Sequence, residues 1–161
     1  MKYFALWFFT FPFISCDAAT RVERTPDFTP SSPFVNVQSV IKQEGLDLVD
    51  DVPFTGTVTD QYSDGQLSLR RGSREGRAHG VWIEWYASGQ LRYYGEWSEG
   101  RGHETFLYFH ENGELRERAT VHADIWDGVA EGWTPKGSKS FERLYHNGEI
   151  VHDKRLETET G

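Results

Sequence analysis

Val81-Trp82-Ile83-Glu84-Trp85-Tyr86-Ala87-Ser88-Gly89-Gln90-Leu91-Arg92-Tyr93-Tyr94-Gly95-Glu96-Trp97 is the stretch whose pattern decides the fold. A run of mostly aromatic and β-branched residues leads into a small-residue turn at Ala87-Ser88-Gly89, and a second such run leaves it. Side chains alternate between the two faces of a strand. Trp82, Glu84 and Tyr86 therefore share one face, and Val81, Ile83 and Trp85 share the other. A helix needs a 3.6-residue period sustained over ten or more residues, and these runs are too short and too punctuated by Gly for that. The stretch reads as a β-hairpin.

The hairpin recurs. Gly65, Gly89, Gly113 and Gly137 are each 24 residues apart, and each ends a turn-like tripeptide such as Ser63-Asp64-Gly65 or Glu111-Asn112-Gly113. Leu67, Leu91 and Leu115 follow in phase, with Lys139 in the fourth place. Gly56, Gly80 and Gly128 keep the period with Glu104 as the exception, and Gly76, Gly100 and Gly148 keep it with Asp124 in the gap. Self-similarity at a fixed period marks a repeat architecture. The chain is read as all-β, an elongated antiparallel meander of about four 24-residue β-hairpin repeats, with about eight strands. The Asp-Gly, Ser-Gly and Asn-Gly steps are expected to make the tight turns, since Gly supplies positive φ without steric cost. Stretches such as Ser98-Glu99-Gly100-Arg101-Gly102-His103 are expected to be six-residue loops on the opposite edge.

The block resembles bacterial MORN-repeat-variant proteins, often grouped with the antitoxin components of toxin–antitoxin systems. The residues that carry the likeness are Pro53-Phe54-Thr55-Gly56, Tyr62-Ser63-Asp64-Gly65-Gln66-Leu67, His79-Gly80-Val81-Trp82, Trp85-Tyr86-Ala87-Ser88-Gly89-Gln90-Leu91 and Tyr108-Phe109-His110-Glu111-Asn112-Gly113-Glu114-Leu115. It spans roughly residues 40–153 and implies MORN-like hairpins. A fold does not fix an activity, so the antitoxin role is implied by the resemblance alone. Unit three lacks its second Gly, and unit four carries Gly132, Pro135 and Lys139 where other units have larger or apolar residues. A degenerate terminal unit suits a capping repeat.

Residues 1–15 read as a lipoprotein signal peptide. Lys2 precedes an apolar run too short for a bilayer-spanning helix, which needs about 20 residues. Phe13-Ile14-Ser15-Cys16 resembles a lipobox, which implies acylation of Cys16, the only Cys in the chain. Asp17 resembles the residue that retains such proteins in the inner membrane. Ordinary secretion, with cleavage near Cys16-Asp17-Ala18, and a cytosolic chain with a buried apolar segment are the competing readings. Residues 16–33, with Pro26, Pro30 and Pro33, cannot bury a core and read as a Pro-rich tether. Residues 34–53 are expected to form an N-terminal cap or hairpin around Gln43-Glu44-Gly45, with a helix through Val37, Val40 and Ile41 that starts at Pro33 and stops at Gly45 as the competing reading. Residues 54–153 are expected to be the repeats, and residues 154–161 a disordered tail.

Composition narrows the function. The 161 residues carry 17 Lys and Arg against 25 Asp and Glu, a formal charge of −8. A nucleic-acid binder needs surplus cations to neutralise phosphates, so no nucleic-acid partner is expected. One Cys leaves no Cys-based zinc site or internal disulfide. His79 and His103, like His122 and His146, are 24 apart and belong to the repeat pattern. His122 with Asp124 and Asp127 is the one grouping that hints at a ligand set. No Gly-x-Ser-x-Gly elbow, His-Glu-x-x-His or phosphate loop is present. No enzyme, cofactor or metal is expected.

Two surfaces are candidates for binding. The first is aromatic: Trp82, Trp85, Tyr86, Phe106, Phe109 and Trp133. Trp85, Phe109 and Trp133 are in phase and are expected to form a ladder across neighbouring units. That ladder is either core or an exposed patch for a partner. The second is the basic run with Arg70, Arg71, Arg74 and Arg77, either a charged edge that blocks aggregation or a contact for anionic lipid or an acidic partner. The leading expectation is a non-enzymatic protein-binding lipoprotein of the bacterial cell envelope, anchored to a membrane through lipidated Cys16. The alternatives are an antitoxin or immunity component and a wall- or glycan-binding module.

Overall fold

The computed structural model describes residues 33–157. The signal, Cys16, the acylation and most of the tether fall outside the described residues, as do residues 158–161 of the tail.

The repeats form one antiparallel meander. Its strands are β5 (Gly56–Gln61), β6 (Leu67–Arg74), β7 (Arg77–Trp85), β8 (Leu91–Ser98), β9 (Arg101–Phe109), β10 (Leu115–His122), β11 (Ile125–Trp133), β12 (Lys139–His146) and β13 (Glu149–Arg155). They lie side by side in chain order, and β1 (Phe34–Asn36) adds to β5 in parallel to make a ten-stranded sheet. The all-β hairpin meander is therefore the fold, with one strand more in the meander than the eight expected. Lys154 and Arg155 are part of β13 rather than of a tail, and pairing extends to Leu156 N–H, which donates to the Ser140 carbonyl at 2.8 Å. A smaller sheet holds β2 (Ile41–Gln43), β3 (Leu46–Val49) and β4 (Val52–Pro53), with β2 and β3 turning at Glu44-Gly45.

The turn chemistry is the reverse of the sequence expectation. The two-residue turns are Glu75-Gly76, Glu99-Gly100, Ala123-Asp124 and Asn147-Gly148, and all eight residues have positive φ, from 49° to 84°. This is the type I′ geometry, whose twist matches that of the flanking strands. Arg101, Gly102 and His103 are strand residues, so no six-residue loop exists there. The Asp-Gly, Ser-Gly and Asn-Gly steps sit in longer connections. In the first, Tyr62 N–H donates to the Gln66 carbonyl, and Gly65 N–H donates back to Tyr62. Gly65, at φ 86°, then closes a type I turn as a bulge residue.

Two bulges repeat with the hairpins and bend the sheet. Arg71 pairs with Trp82 and Ser73 with Ala78, so Gly72 faces three residues. Gly95 and Thr120 face three in the same way. One residue of each trio has positive φ: Gly80 and Gly128 at the middle of theirs, and Glu104 at the start of its own. Near the other edge Glu84 pairs with Tyr93 and Trp85 with Leu91, leaving Arg92 as an extra residue; Tyr108 with Glu117 and Phe109 with Leu115 leave Arg116. A bulge re-aims the side chain it carries.

Both edges are tied from unit to unit. Gly76, Gly100, Asp124 and Gly148 N–H groups donate to the carbonyls of Phe54, Ala78, Gly102 and Trp126. Asp124 replaces the series Gly and adds a bond of its own, its carboxylate accepting from Gly102 N–H at 2.7 Å. On the loop edge Tyr62 and Tyr86 hydroxyls donate to the Trp85 and Phe109 carbonyls, and His110 Nε2 lies 2.8 Å from the Trp133 carbonyl.

Candidate functional site

The site lies where three strands carry large rings on one face. Trp82 comes from β7, Tyr93 and Trp97 from β8, and Phe106 and Tyr108 from β9. Two glycines make the packing possible. A Cβ on Gly95 would run into the Tyr93 and Phe106 rings, and one on Gly102 would run into the Phe106 ring. Without those Cβ atoms the rings lie down on the sheet. Trp97 stacks on Phe106 with centroids 5.6 Å apart, and Trp82 leans on Trp97 at 5.2 Å. Tyr93 meets Trp82 and Phe106 edge-on. Each such pair contributes about 0.5–1.5 kcal/mol beyond area burial. Tyr93, Phe106 and Val121 are the buried centre, with Trp82, Trp97, Tyr108 and Trp126 half-buried around it.

The half-buried rings leave an open groove of about 440 Å³. Its walls are aromatic and its rim is charged, with Glu84, Arg92 and Arg116. Trp82 Nε1 donates to Glu84 at 3.1 Å, and Arg92 lies 3.6 Å from the other oxygen of Glu84. Arg116 sits over the Tyr108 ring, 5.4 Å from its centroid. Arg92 and Arg116 are the two bulge residues, one repeat apart. The sequence reading missed both, although the 24-residue series Ser68, Arg92, Arg116, Ser140 was there to be found.

Burial sets the protonation of the site. It pushes the Tyr93 phenol well above its ordinary value, although Tyr93 Oη accepts from Trp97 Nε1 at 3.2 Å. Burial also raises Tyr108, with the Glu117 charge adding to it. Glu117 pairs with Tyr108 in register, and burial raises its carboxyl against the pull of Arg116 and Arg143.

Of the aromatic candidates, the structure brings together Trp82 and Phe106, and Phe106 is buried rather than exposed. Trp85, Tyr86, Phe109 and Trp133 are half-buried at the loop edge, where three of them lend carbonyls to the ladder of tyrosine and histidine bonds. The expected ring ladder of Trp85, Phe109 and Trp133 does not form. One repeat is two strands, so in-phase residues stand about 10 Å apart with another strand between them. Trp133 instead lies under Arg118, 5.9 Å away.

The basic run is not one surface either. Arg71 is buried, ion-paired with Asp47 and 5.3 Å above the Trp82 ring. Arg70 is half-buried on the opposite face, and Arg74 and Arg77 are exposed directly across from each other beside the Glu75-Gly76 turn. His122 and His103 are register partners, and Asp127 lies 3.3 Å from His146. Among the described residues no three His, Cys, Asp or Glu converge as metal ligands.

Residues 78–98 match the family model for the MORN repeat variant. The matched segment is the β7–β8 hairpin, which supplies Trp82, Tyr93, Trp97 and the rim residues Glu84 and Arg92. The match supports the MORN-repeat family, and MORN repeats are generally non-enzymatic protein- or membrane-binding modules. The neighbouring MORN-like hairpins share its bulges, turns and edge bonds. No curated protein and no solved structure matches the chain.

Proposed function

We propose that the protein is a non-enzymatic binding module of the bacterial cell envelope that holds a segment of a partner protein in its aromatic groove. The groove carries this reading. A sheet face with five rings, Trp and Tyr among them, and Arg at the rim has the composition of a binding hot spot, where burial of a few aromatics dominates affinity. The single unit that matches a binding-repeat family is the one that builds most of it. The envelope part rests on residues 1–16 of the sequence, with the lipid on Cys16 as anchor and the Pro-rich segment as tether.

A photo-crosslinking amino acid at Arg92, on the rim, tests the groove in the native host, with one at Glu111, on an exposed loop, as reference. A partner peptide linked from position 92 and lost in Trp97→Ala supports the reading; linkage to glycan, or equal linkage from both positions, overturns it. Intact mass of the membrane-extracted chain tests the anchor. A diacylglyceryl group on Cys16 supports it, and an unmodified chain beginning at Met1 overturns it and moves the search to a cytosolic partner.

A further inference from the structure

The hydrogen-bonding groups of the groove are unbalanced. Outside the bulges at Arg92, Gly95 and Arg116 the backbone beneath it is paired in the sheet ladder, so side chains are the main groups that meet an occupant. The Tyr108 hydroxyl makes no hydrogen bond among the described residues, although its ring is half-buried. The Tyr93 oxygen accepts from Trp97, which leaves its own proton unspent. Arg116 has no carboxylate within ion-pair distance among the described residues, and its guanidinium rests on the Tyr108 ring. The acceptor on the rim, Glu84, is already engaged by Trp82 Nε1 and Arg92. What remains is a set of donors above aromatic walls.

We infer that the segment held there is proline-rich and in the polyproline II conformation, an inference that rests on the reading of the groove as a protein-binding site. Proline has a carbonyl and no N–H, so such a segment offers acceptors alone. An ordinary extended peptide brings one N–H per residue, and a sugar brings a donor with every hydroxyl. Each donor buried without a partner costs about 1–3 kcal/mol. Pyrrolidine rings are apolar and pack on Trp and Tyr faces, and polyproline II is extended before binding, so little entropy is lost. The dimensions agree. The rings span β7 to β9, two strand spacings or about 10 Å, and one turn of polyproline II is three residues at about 3.1 Å each.

The test titrates the full-length mature chain with decaproline, followed by Trp fluorescence, with chitohexaose in parallel. Saturable quenching by decaproline is expected, with none from the sugar. Tyr108→Phe keeps the ring and removes one donor, and is expected to weaken decaproline about tenfold; Arg116→Gln, at an exposed position, is the second variant should Tyr108→Phe not fold. Tyr62→Phe, on the loop edge, is expected to change nothing. No saturation by decaproline, undiminished binding by the groove variants, or tighter binding of chitohexaose overturns the inference. If decaproline fails while position 92 still links to a partner peptide, the groove binds protein and only the chemistry assigned to the segment falls.

Discussion

The two ends of the ten-stranded sheet are finished in different ways. At the first end β1 lies along β5, and the small sheet closes over the β6–β7 turn. Asp47 N–H donates to the Gly76 carbonyl, Gly76 N–H to the Phe54 carbonyl, and Glu75 N–H to Thr55 Oγ1. Under this clasp Asp47 meets Arg71 with both side chains buried, and Val58 is fully buried. At the other end all seven residues of β13 are exposed, and Leu144, Ile150 and Val151 are 42–56% open to solvent. That end is protected by Asp153, Lys154 and Arg155 and by an extra residue at Val151, which offset a strand's readiness to pair with another chain. A repeat stack needs both ends finished. Here one is finished by burial and the other by charge and irregularity, so the two should respond very differently to substitution.

Asp47→Ala should give the largest effect. It leaves Arg71 buried without its partner, a loss of about 3–5 kcal/mol in a denaturant melt. Hydrogen exchange should show the loosening in β5–β7 and little change in β11–β13. A uniform loss would mean that the clasp is not local.

Acid should separate the clasp from the middle of the sheet. Burial alone would raise Asp47, but Arg71 and Lys42 outweigh it and hold its carboxyl below the usual value. Its contribution is present above that usual value, near 3.8, and is lost as pH falls through the lower folded value. Glu131 behaves alike, since Lys139 and Arg118 outweigh the opposite effect of its burial. Glu117 is raised by burial, so the folded state gains stability as pH falls through its folded value toward the ordinary one. Melting temperature should therefore rise slightly on mild acidification and then drop in stronger acid. Glu117→Gln should remove the rise, gain less than about 1 kcal/mol at neutral pH, and leave the acid drop in place.

Glu104→Gly should stabilise the middle by about 1 kcal/mol, because Glu104 holds φ at 63° where its repeat equivalents Gly80 and Gly128 do so without a side chain. Calorimetry should show the melting temperature up by about 3 °C. The smallest effect belongs to the open end. Leu144→Lys should change stability by no more than about 0.5 kcal/mol. A loss above about 2 kcal/mol would show that β12 and β13 are covered in solution.

The repeat was legible because glycine leaves a positional record. Gly65, Gly89, Gly113 and Gly137 hold positive φ in every hairpin, and so they kept their spacing. Which turns were tight was not legible, since Asn112-Gly113 and Glu99-Gly100 both offer a left-handed residue. Strand register, decided by pairing with both neighbours, made the second a type I′ turn and the first a longer loop. The aromatic ladder failed for a related reason. Periodicity gives equivalence, whereas contact depends on the strand that lies between equivalents.

Local chemistry thus determined strands, hairpins, the 24-residue period and the absence of a helical repeat, because alternation and positive φ are properties of short segments. The tertiary structure decided that Trp82, Tyr93, Trp97, Phe106 and Tyr108 make one groove, that Arg92 and Arg116 are turned toward it by bulges, and that Arg71 is withdrawn beneath Asp47. Those outcomes depend on register and on glycines that let rings from neighbouring strands lie on the sheet. They are set by several strands together, and no single segment of the sequence contains them.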